Sequence, residues 1–214
     1  FAETCGIYGG CQPFNSEEND SFEVGLKADL MDGRMRLNLA LYDVTYESLQ
    51  RDAVLVVKDA SGNDFQETVS VNEGESSNSG IELEMIYLAT DNLRIDFNLG
   101  TMDHEYDEYA PSQDMATLGL SGPPQRVDLT SMDVPFSPEL TMGIGATYDL
   151  PLSSGATLIF NLSAHYQDEF ATASFPANYQ GADSNGDPII KQKQNTSSEE
   201  RTLVDGYIKY IDPN

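Results

Sequence analysis

Residues 20–50 read DSFEVGLKADLMDGRMRLNLALYDVTYESLQ, two alternating runs that meet at a short corner over 31–34. In the first run the apolar residues fall at every second position from Phe22 to Leu30, and in the second run they do so from Leu37 to Leu41. A period of two is that of a β-strand, because successive side chains of a strand point to opposite faces. The stretch therefore predicts a β-hairpin, whose apolar side faces either a protein core or a lipid bilayer.

The composition argues against two classes of protein, nucleic-acid-binding proteins and proteins that cross a membrane with helices. The chain has 214 residues, and its 36 acidic against 11 basic side chains give a formal charge of −25. Binding to the phosphates of a nucleic acid requires clustered Lys and Arg, so we expect no nucleic-acid partner. No run of about 18 uncharged apolar residues is present, so the sequence predicts no membrane-spanning helix. A spanning β-strand needs only about 9–11 residues, of which alternate ones are apolar.

The hairpin rhythm recurs along the chain, with short corners rich in Asp, Asn, Gly and Pro alternating with long polar stretches. Within the first long stretch, two runs around "ASGN" predict a further hairpin. The long polar stretches cover residues 47–75, 103–137 and 168–200. The seven predicted strands cover residues 20–30, 35–46, 78–89, 93–105, 139–149, 156–167 and 201–211.

This alternation of connection lengths favours a membrane barrel over a soluble domain. Most connections in soluble domains are about 4–6 residues long, whereas transmembrane barrels have short periplasmic turns and long extracellular loops. We therefore predict an all-β fold, an antiparallel transmembrane β-barrel segment with its apolar face toward lipid. A soluble β-sandwich with one solvated face is the alternative. The predicted lipid-facing residues of the first hairpin are Phe22, Val24, Leu26, Leu37, Leu39 and Leu41, and the predicted lumen-facing residues are Glu23, Lys27, Arg36 and Asn38.

Three stretches resemble the barrel of TonB-dependent outer-membrane receptors: the opening hairpin, "NEGESSNSGIELEMIYLATDNLRIDFNLGTMDHEYDEY" and "VPFSPELTMGIGATYDLPLSSGATLIFNLSAHYQDEF". The resemblance implies a bacterial outer-membrane barrel of about 22 antiparallel strands around an N-terminal plug. It further implies binding of a small scarce nutrient and import driven by the TonB complex. On this resemblance residues 20–214 are a C-terminal part of the barrel, and we expect the plug and the final strands in a longer protein.

The expected function is TonB-dependent active import, with a ferric siderophore as the favoured cargo. The implied partners are outer-membrane lipid, lipopolysaccharide, the nutrient, and the TonB complex through the plug. A passive porin-like channel, or a soluble or surface β-rich binding module, is the alternative. We expect no enzyme, because the sequence has no G-x-S-x-G, P-loop or H-E-x-x-H motif.

An acidic cluster lies where a predicted strand enters an outer loop, in "TMDHEYDEYAPSQD". Ligand or cation binding at the mouth of the barrel, or the Asp/His chemistry of an outer-membrane protease, is the functional interpretation, and a solvated acidic rim is the alternative. The candidate rim residues are Asp103, His104, Glu105, Asp107 and Glu108.

A second candidate is a calcium loop in "ADSNGDPI", where Asp183, Asn185 and Asp187 have the spacing of calcium ligands. An EF-hand loop requires Gly at its sixth position and Glu at its twelfth, where this chain has Pro188 and Gln194. The alternative is a polar turn at the tip of a long loop. We expect no other cofactor.

The two cysteines, Cys5 and Cys11, lie within a predicted extracellular loop over residues 1–19. Two glycines between them let the chain turn, so a disulfide formed in an oxidising compartment is the first interpretation. Two free thiols are the alternative, and a closed zinc site lacks its other ligands.

Overall fold

The computed structural model describes residues 14–58, 61–62, 64–72, 74–109, 112–113, 125–126, 128–182 and 188–212. Within these ranges no helix is long and apolar enough to cross a membrane. The regular elements there are thirteen strands: β1 (Glu18–Leu30), β2 (Met35–Glu47), β3 (Gln50–Lys58), β4 (Asp64–Asn72), β5 (Glu75–Leu88), β6 (Leu93–Glu108), β7 (Ser112–Gln113), β8 (Gln125–Arg126), β9 (Leu140–Pro151), β10 (Thr157–Gln167), β11 (Phe170–Ala182), β12 (Pro188–Ser198) and β13 (Arg201–Ile211).

Seven of these strands form one antiparallel sheet in the order β1-β2-β5-β6-β9-β10-β13, which we call the wall. The wall confirms the prediction of an all-β, antiparallel fold with about seven long strands. It does not close on itself within this chain, because β1 and β13 are its two edges. Short turns join its strands at one end, the turn end, and long excursions join them at the other, the loop end.

Two of the excursions contain hairpins. Strands β3 and β4 pair with each other, as the two runs around "ASGN" predicted. The polar stretch over 168–200 was predicted as loop, but most of it forms the paired strands β11 and β12. The pairing of β11 with β12 has several register shifts, and such irregularity accompanies a sequence without clean alternation.

The register places the apolar residues of the wall on one face. Leu39 of β2 lies opposite Leu26 and Leu83 on its two neighbouring strands, and Leu99 of β6 lies opposite Leu83 and Met142. The predicted lipid-facing residues of the first hairpin all lie on this face. Phe22 is 68% exposed and Ile208 is 70% exposed. An exposed apolar surface of this extent is typical of a face that contacts a membrane or another protein.

The opposite face of the wall is polar. Lys27, Asn38, Glu84 and Asn98 follow one another across four neighbouring strands, and the amide of Asn38 donates a 3.2 Å hydrogen bond to Glu84. Exposed ion pairs such as Arg36 Nε to Asp29 Oδ1 at 2.9 Å also lie here; such pairs contribute about 0–1 kcal/mol each. The predicted lumen-facing residues share this face.

The first turn explains how the opening hairpin reverses so tightly. Met31 and Asp32 adopt left-handed backbone conformations, with φ of 53° and 57°, and Gly33 N–H donates to the Leu30 carbonyl at 3.1 Å. Positive φ at both central residues is the hairpin geometry that matches the twist of the flanking strands. The Arg34 side chain then donates to the Leu88 carbonyl and to Asp91, each at 3.0 Å, which ties this turn to the next one.

Candidate functional site at the loop end

The hairpin of β3 and β4 leaves the wall through a sharp bend. Ser48 and Gly74 lie on the two sides of the bend with φ of 57° and 111°, and Leu49 N–H donates to the Gly74 carbonyl at 3.1 Å. A Cβ atom on Gly74 would lie 2.8 Å from the Glu108 carbonyl oxygen. Position 74 therefore requires glycine for two reasons: its φ is positive, and β6 approaches too closely to leave room for a Cβ atom.

Side chains at the base of the hairpin bind it to the segment before β1. The Asn72 amide donates to the carbonyls of Asn15 and Ser48 at 3.0 and 2.7 Å. The backbone N–H of Gln50 donates to Glu17 at 2.6 Å, and its side chain donates to the Asn15 carbonyl at 2.9 Å. These bonds fix the direction in which the hairpin leaves the wall.

On the polar face, Arg51 of the hairpin packs against two tyrosines that follow the wall outward. Its guanidinium carbon lies 5.0 Å from the ring centroid of Tyr106 and 4.4 Å from that of Tyr109. The same guanidinium donates from Nη2 to the Tyr106 hydroxyl at 2.9 Å, and Tyr106 is only 7% exposed. A cation over an aromatic face is stabilised by about 0.5–2 kcal/mol, more as it is desolvated.

Two buried polar atoms in this region have no hydrogen-bond partner among the described residues, Arg51 Nε and Asn78 Oδ1. Asn78 lies opposite His104 in the pairing of β5 with β6, and the buried Ser76 lies opposite Tyr106. An unpaired buried donor or acceptor costs about 1–3 kcal/mol. Most buried polar atoms of native proteins are paired with protein groups or with ordered water.

Residues 128–139 form a strap that leads into β9. Leu129 N–H donates to the Tyr109 carbonyl and Phe136 N–H donates to the Ala171 carbonyl, each at 2.7 Å. Leu129 of the strap is 2% exposed. The strap therefore joins the outer end of β6 to the start of β11. We call the β3–β4 hairpin, the strap and the outer ends of β5 and β6 the mouth.

The structure separates the five candidate rim residues instead of joining them. All five belong to β6, which continues past the predicted strand end. Because side chains alternate along the strand, Asp103 and Glu105 lie exposed on one side while His104 lies half-buried on the other. No group of three or more His, Cys, Asp or Glu in the described ranges is placed to hold a metal ion. Ligand binding by the rim stays a prediction.

His104 and Asp103 do share a cavity of about 330 Å³ between β6, the strap and β11, together with Asp133, Glu139 and Asp168. The Nδ1 atom of His104 lies 2.9 Å from the Ser137 hydroxyl of the strap. Burial lowers the pKa of His104 below its ordinary value of 6.5, which favours the neutral imidazole.

Two other predicted sites cannot be compared with the fold. The calcium candidates Asp183, Asn185 and Asp187 lie outside the described residues, and so do Cys5 and Cys11. The calcium loop and the disulfide therefore stay predictions.

Sequence reasoning missed the cluster of Arg51, Tyr106, Tyr109 and Asn78. Its members are up to 58 residues apart along the chain, and the two tyrosines are hidden within the acidic run "HEYDEY". One signal was present: Arg51 and Lys58 are the only bases between Arg36 and Arg94. An isolated base in so acidic a chain is a candidate for a specific contact.

An antiparallel sheet with an apolar face, a polar face, short turns at one end and long excursions at the other is the wall of a transmembrane β-barrel. The chain belongs to the TonB-dependent receptor-like β-barrel family, whose model matches residues 4–212. This confirms the resemblance noted in the sequence. The family consists of outer-membrane receptors that transport nutrients, and catalysis is not its role.

Solved structures agree with this assignment. The ferric yersiniabactin uptake receptor FyuA from Yersinia pestis superimposes with a TM-score of 0.59 at 16% identity, covering 92% of this chain and 23% of that one. The ferric-catecholate import receptor Fiu from E. coli K12 gives 0.53 at 14% identity, covering 91% and 21%. The iron transporter FrpB from Neisseria meningitidis gives 0.53 at 14% identity, covering 95% and 25%.

At these identities the likeness shows a shared fold. The chain spans between 21% and 25% of the length of these three structures. No curated protein sequence matches the chain.

Proposed function

We propose that this chain supplies barrel wall and ligand-facing mouth to a receptor that imports a scarce nutrient actively across the bacterial outer membrane. The observation that carries the proposal is the family match over residues 4–212. In this assignment the turn end is periplasmic and the loop end is extracellular, as in other barrels of this kind. The apolar face lies against membrane lipid and lipopolysaccharide.

The favoured cargo is a ferric siderophore. The similar structures include a ferric yersiniabactin uptake receptor, a ferric-catecholate import receptor and an iron transporter. The chemistry of the mouth supports binding without bond breaking, since it provides a guanidinium, phenol rings and amides held in fixed positions. Import would be driven by the TonB complex, acting through the plug domain of the receptor.

The test measures uptake by the complete receptor in an iron-starved outer-membrane host. We expect accumulation of radioactive iron from siderophore-containing medium to require both the receptor and TonB. Surface binding of the same iron should require the receptor alone. The matched control is the host carrying the empty vector.

The passive-channel alternative makes the opposite prediction. A porin-like pore would let the chelate equilibrate in cells that lack TonB, or whose proton gradient has been collapsed. Uptake that persists under both conditions would refute active import.

A further inference from the structure

A groove of about 520 Å³ lies on the apolar face of the wall, toward its turn end. It is formed across β9, β10 and β13, which pair in that order. Two neighbouring rows of cross-strand partners line it: Ala146, Leu162 and Gly206, and then, nearer the turn end, Tyr148, Phe160 and Ile208. The groove therefore lies where a row with two small residues meets a row of three bulky ones.

The two small residues make the groove a local feature of the apolar face. Gly206 has no side chain, and Ala146 has only a methyl group. The backbone keeps position 206 small, because a Cβ atom there would lie 3.0 Å from the Asn161 carbonyl oxygen. In the same row on β5 and β6 the side chains are the larger Tyr87 and Ile95. The surface of β5 and β6 at this level therefore provides a comparison without the two small residues.

The bulky residues form walls that project from the sheet. Leu162 is 61% exposed, Ile208 is 70% exposed and Tyr148 is 42% exposed. The chain belongs to an outer-membrane family, so lipid chains cover this face. A lipid chain on a flat surface makes dispersion contacts on one side, whereas a chain in a groove makes them on its flanks as well. The groove therefore favours one chain at this place over the same chain elsewhere on the face.

The position of the groove along the strands indicates which leaflet supplies that chain. Phe160 and Leu162 lie three and five residues after Thr157, where β10 begins at the turn end. These separations are about 10 and 17 Å along a strand that rises about 3.3 Å per residue. At a strand tilt of about 35–45° they become about 7–14 Å of depth, within an apolar band about 25 Å tall. The groove therefore lies in the half of the band nearer the turn end.

We propose that this groove binds an acyl chain of a phospholipid from the periplasmic leaflet. The chain enters past Tyr210, which is 57% exposed and lies opposite Leu158, one row nearer the turn end. Tyrosines at this level favour the boundary between lipid headgroups and chains. The middle carbons of the chain then fill the space beside Phe160, Leu162 and Ile208. The inference rests on the orientation given with the proposed function, and it is independent of the cargo and of active import.

The experiment uses the complete receptor in nanodiscs of phosphatidylethanolamine and phosphatidylglycerol. The probe is a phosphatidylethanolamine with a photoactivatable diazirine in the middle of one acyl chain, and peptide mass spectrometry locates its adducts after irradiation. Ala146→Phe and the milder Ala146→Leu fill the groove. The matched control is Ala164→Phe, which adds the same bulk to the apolar face in the neighbouring row, between Ile144 and Val204 and outside the groove.

We expect adducts on the groove residues of the wild type to exceed those on Tyr87 and Ile95 by about fivefold, a preference that corresponds to about 1 kcal/mol. Ala146→Phe should reduce the groove adducts to the level of that comparison surface, and Ala146→Leu should reduce them in part. Ala164→Phe should change them by less than about twofold, or about 0.4 kcal/mol. Ala146→Leu provides the same test if the phenylalanine prevents folding.

Three outcomes would overturn the assignment. Adducts spread evenly along the row from Tyr87 to Gly206 would show that the groove retains no particular chain. An equal loss in Ala146→Phe and Ala164→Phe would assign the effect to added bulk anywhere on the face. Unlabelled lipopolysaccharide that displaces the probe better than unlabelled phosphatidylethanolamine does would assign the groove to the outer leaflet. TonB-dependent iron uptake tests the import function separately, so failure of one proposal is distinguishable from failure of the other.

Discussion

The wall and the mouth hold their residues in place by different interactions. In the wall, Leu39 meets Leu83 because the backbone hydrogen bonds align two alternating strands. Many such cross-strand pairs each contribute to the stability of the sheet. At the mouth, Arg51 meets Tyr106 across 55 residues of sequence through one guanidinium. The wall is therefore expected to tolerate most polar-face changes, whereas the mouth depends on a few side chains and one glycine.

The largest effect should come from placing a charge on the apolar face. Leu37 lies opposite Ala28 and Met85, within the apolar rows of the wall. We expect Leu37→Arg to lower the free energy of unfolding in lipid vesicles by about 2–4 kcal/mol, the cost of an arginine near the bilayer midplane. Urea unfolding of the complete receptor measures this.

The matched control is Asn38→Arg, one residue along the strand and on the polar face beside Glu84. It should change the stability by less than about 1 kcal/mol, because the added charge stays in water. Equal effects of the two substitutions would show that the apolar face is not in contact with lipid.

A smaller effect is expected at the bend of the mouth. Gly74→Ala should destabilise by about 1–3 kcal/mol, because a side chain there is strained at φ of 111° and meets the Glu108 carbonyl. Gly33→Ala at the turn end provides the comparison, since its φ is 82° and no atom lies within 4 Å of its added Cβ.

Thermal unfolding of the complete receptor should therefore place Gly74→Ala below Gly33→Ala in stability. Chelate binding should fall only in Gly74→Ala. If the two variants unfold alike and both bind normally, the contact with Glu108 does not constrain the mouth.

The strands and faces of the wall could be predicted from the sequence because alternation is a local signal. Every second residue of a strand faces the same way, so Leu37 and Leu39 could be assigned to one face without knowing their partners. The same rule already separates Asp103 from His104 within the predicted strand over 93–105, whereas Asp107 and Glu108 lie in the further part of β6 that was predicted as loop. The polar composition there was mistaken for a loop.

The mouth could not be predicted in the same way. Strands β11 and β12 lie in a stretch where polar residues dominate and no clean alternation marks a buried face. The contacts of Arg51 and of the strap join segments far apart in sequence, and a single chain carries no local trace of such pairings. Composition alone indicated acidic loops, whereas the described cluster is organised by its one arginine.

Removal of the Tyr106 hydroxyl provides a test of how firmly the β3–β4 hairpin is held. Tyr106→Phe keeps the ring under Arg51 and removes only the acceptor of the 2.9 Å hydrogen bond. We expect the backbone amides of β3 to exchange with solvent about fivefold faster, which corresponds to the loss of about 1 kcal/mol for one hydrogen bond. Tyr148→Phe in β9 is the control and should leave that exchange unchanged. Unaltered exchange in Tyr106→Phe would mean that the base network of Asn72 and Gln50 suffices to hold the hairpin.

The smallest expected effect is a pH dependence at His104, which lies on β6 beyond the apolar rows that end at Thr101 and Leu140. Burial lowers its pKa below 6.5, so the folded protein favours the neutral imidazole more than the unfolded chain does. The resulting contribution to stability is complete above pH 6.5 and is lost as the pH falls through the lowered pKa. Histidine-selective NMR should show this imidazole titrating below 6.5, with its signal assigned by its absence in His104→Gln.

The carboxylates of Asp103, Asp133 and Glu139 face the same cavity and act in the opposite direction, because a nearby negative charge raises the pKa of a histidine. A measured pKa above 6.5 would mean that these charges outweigh burial, and that the cavity beside the mouth is more open to water than its packing indicates.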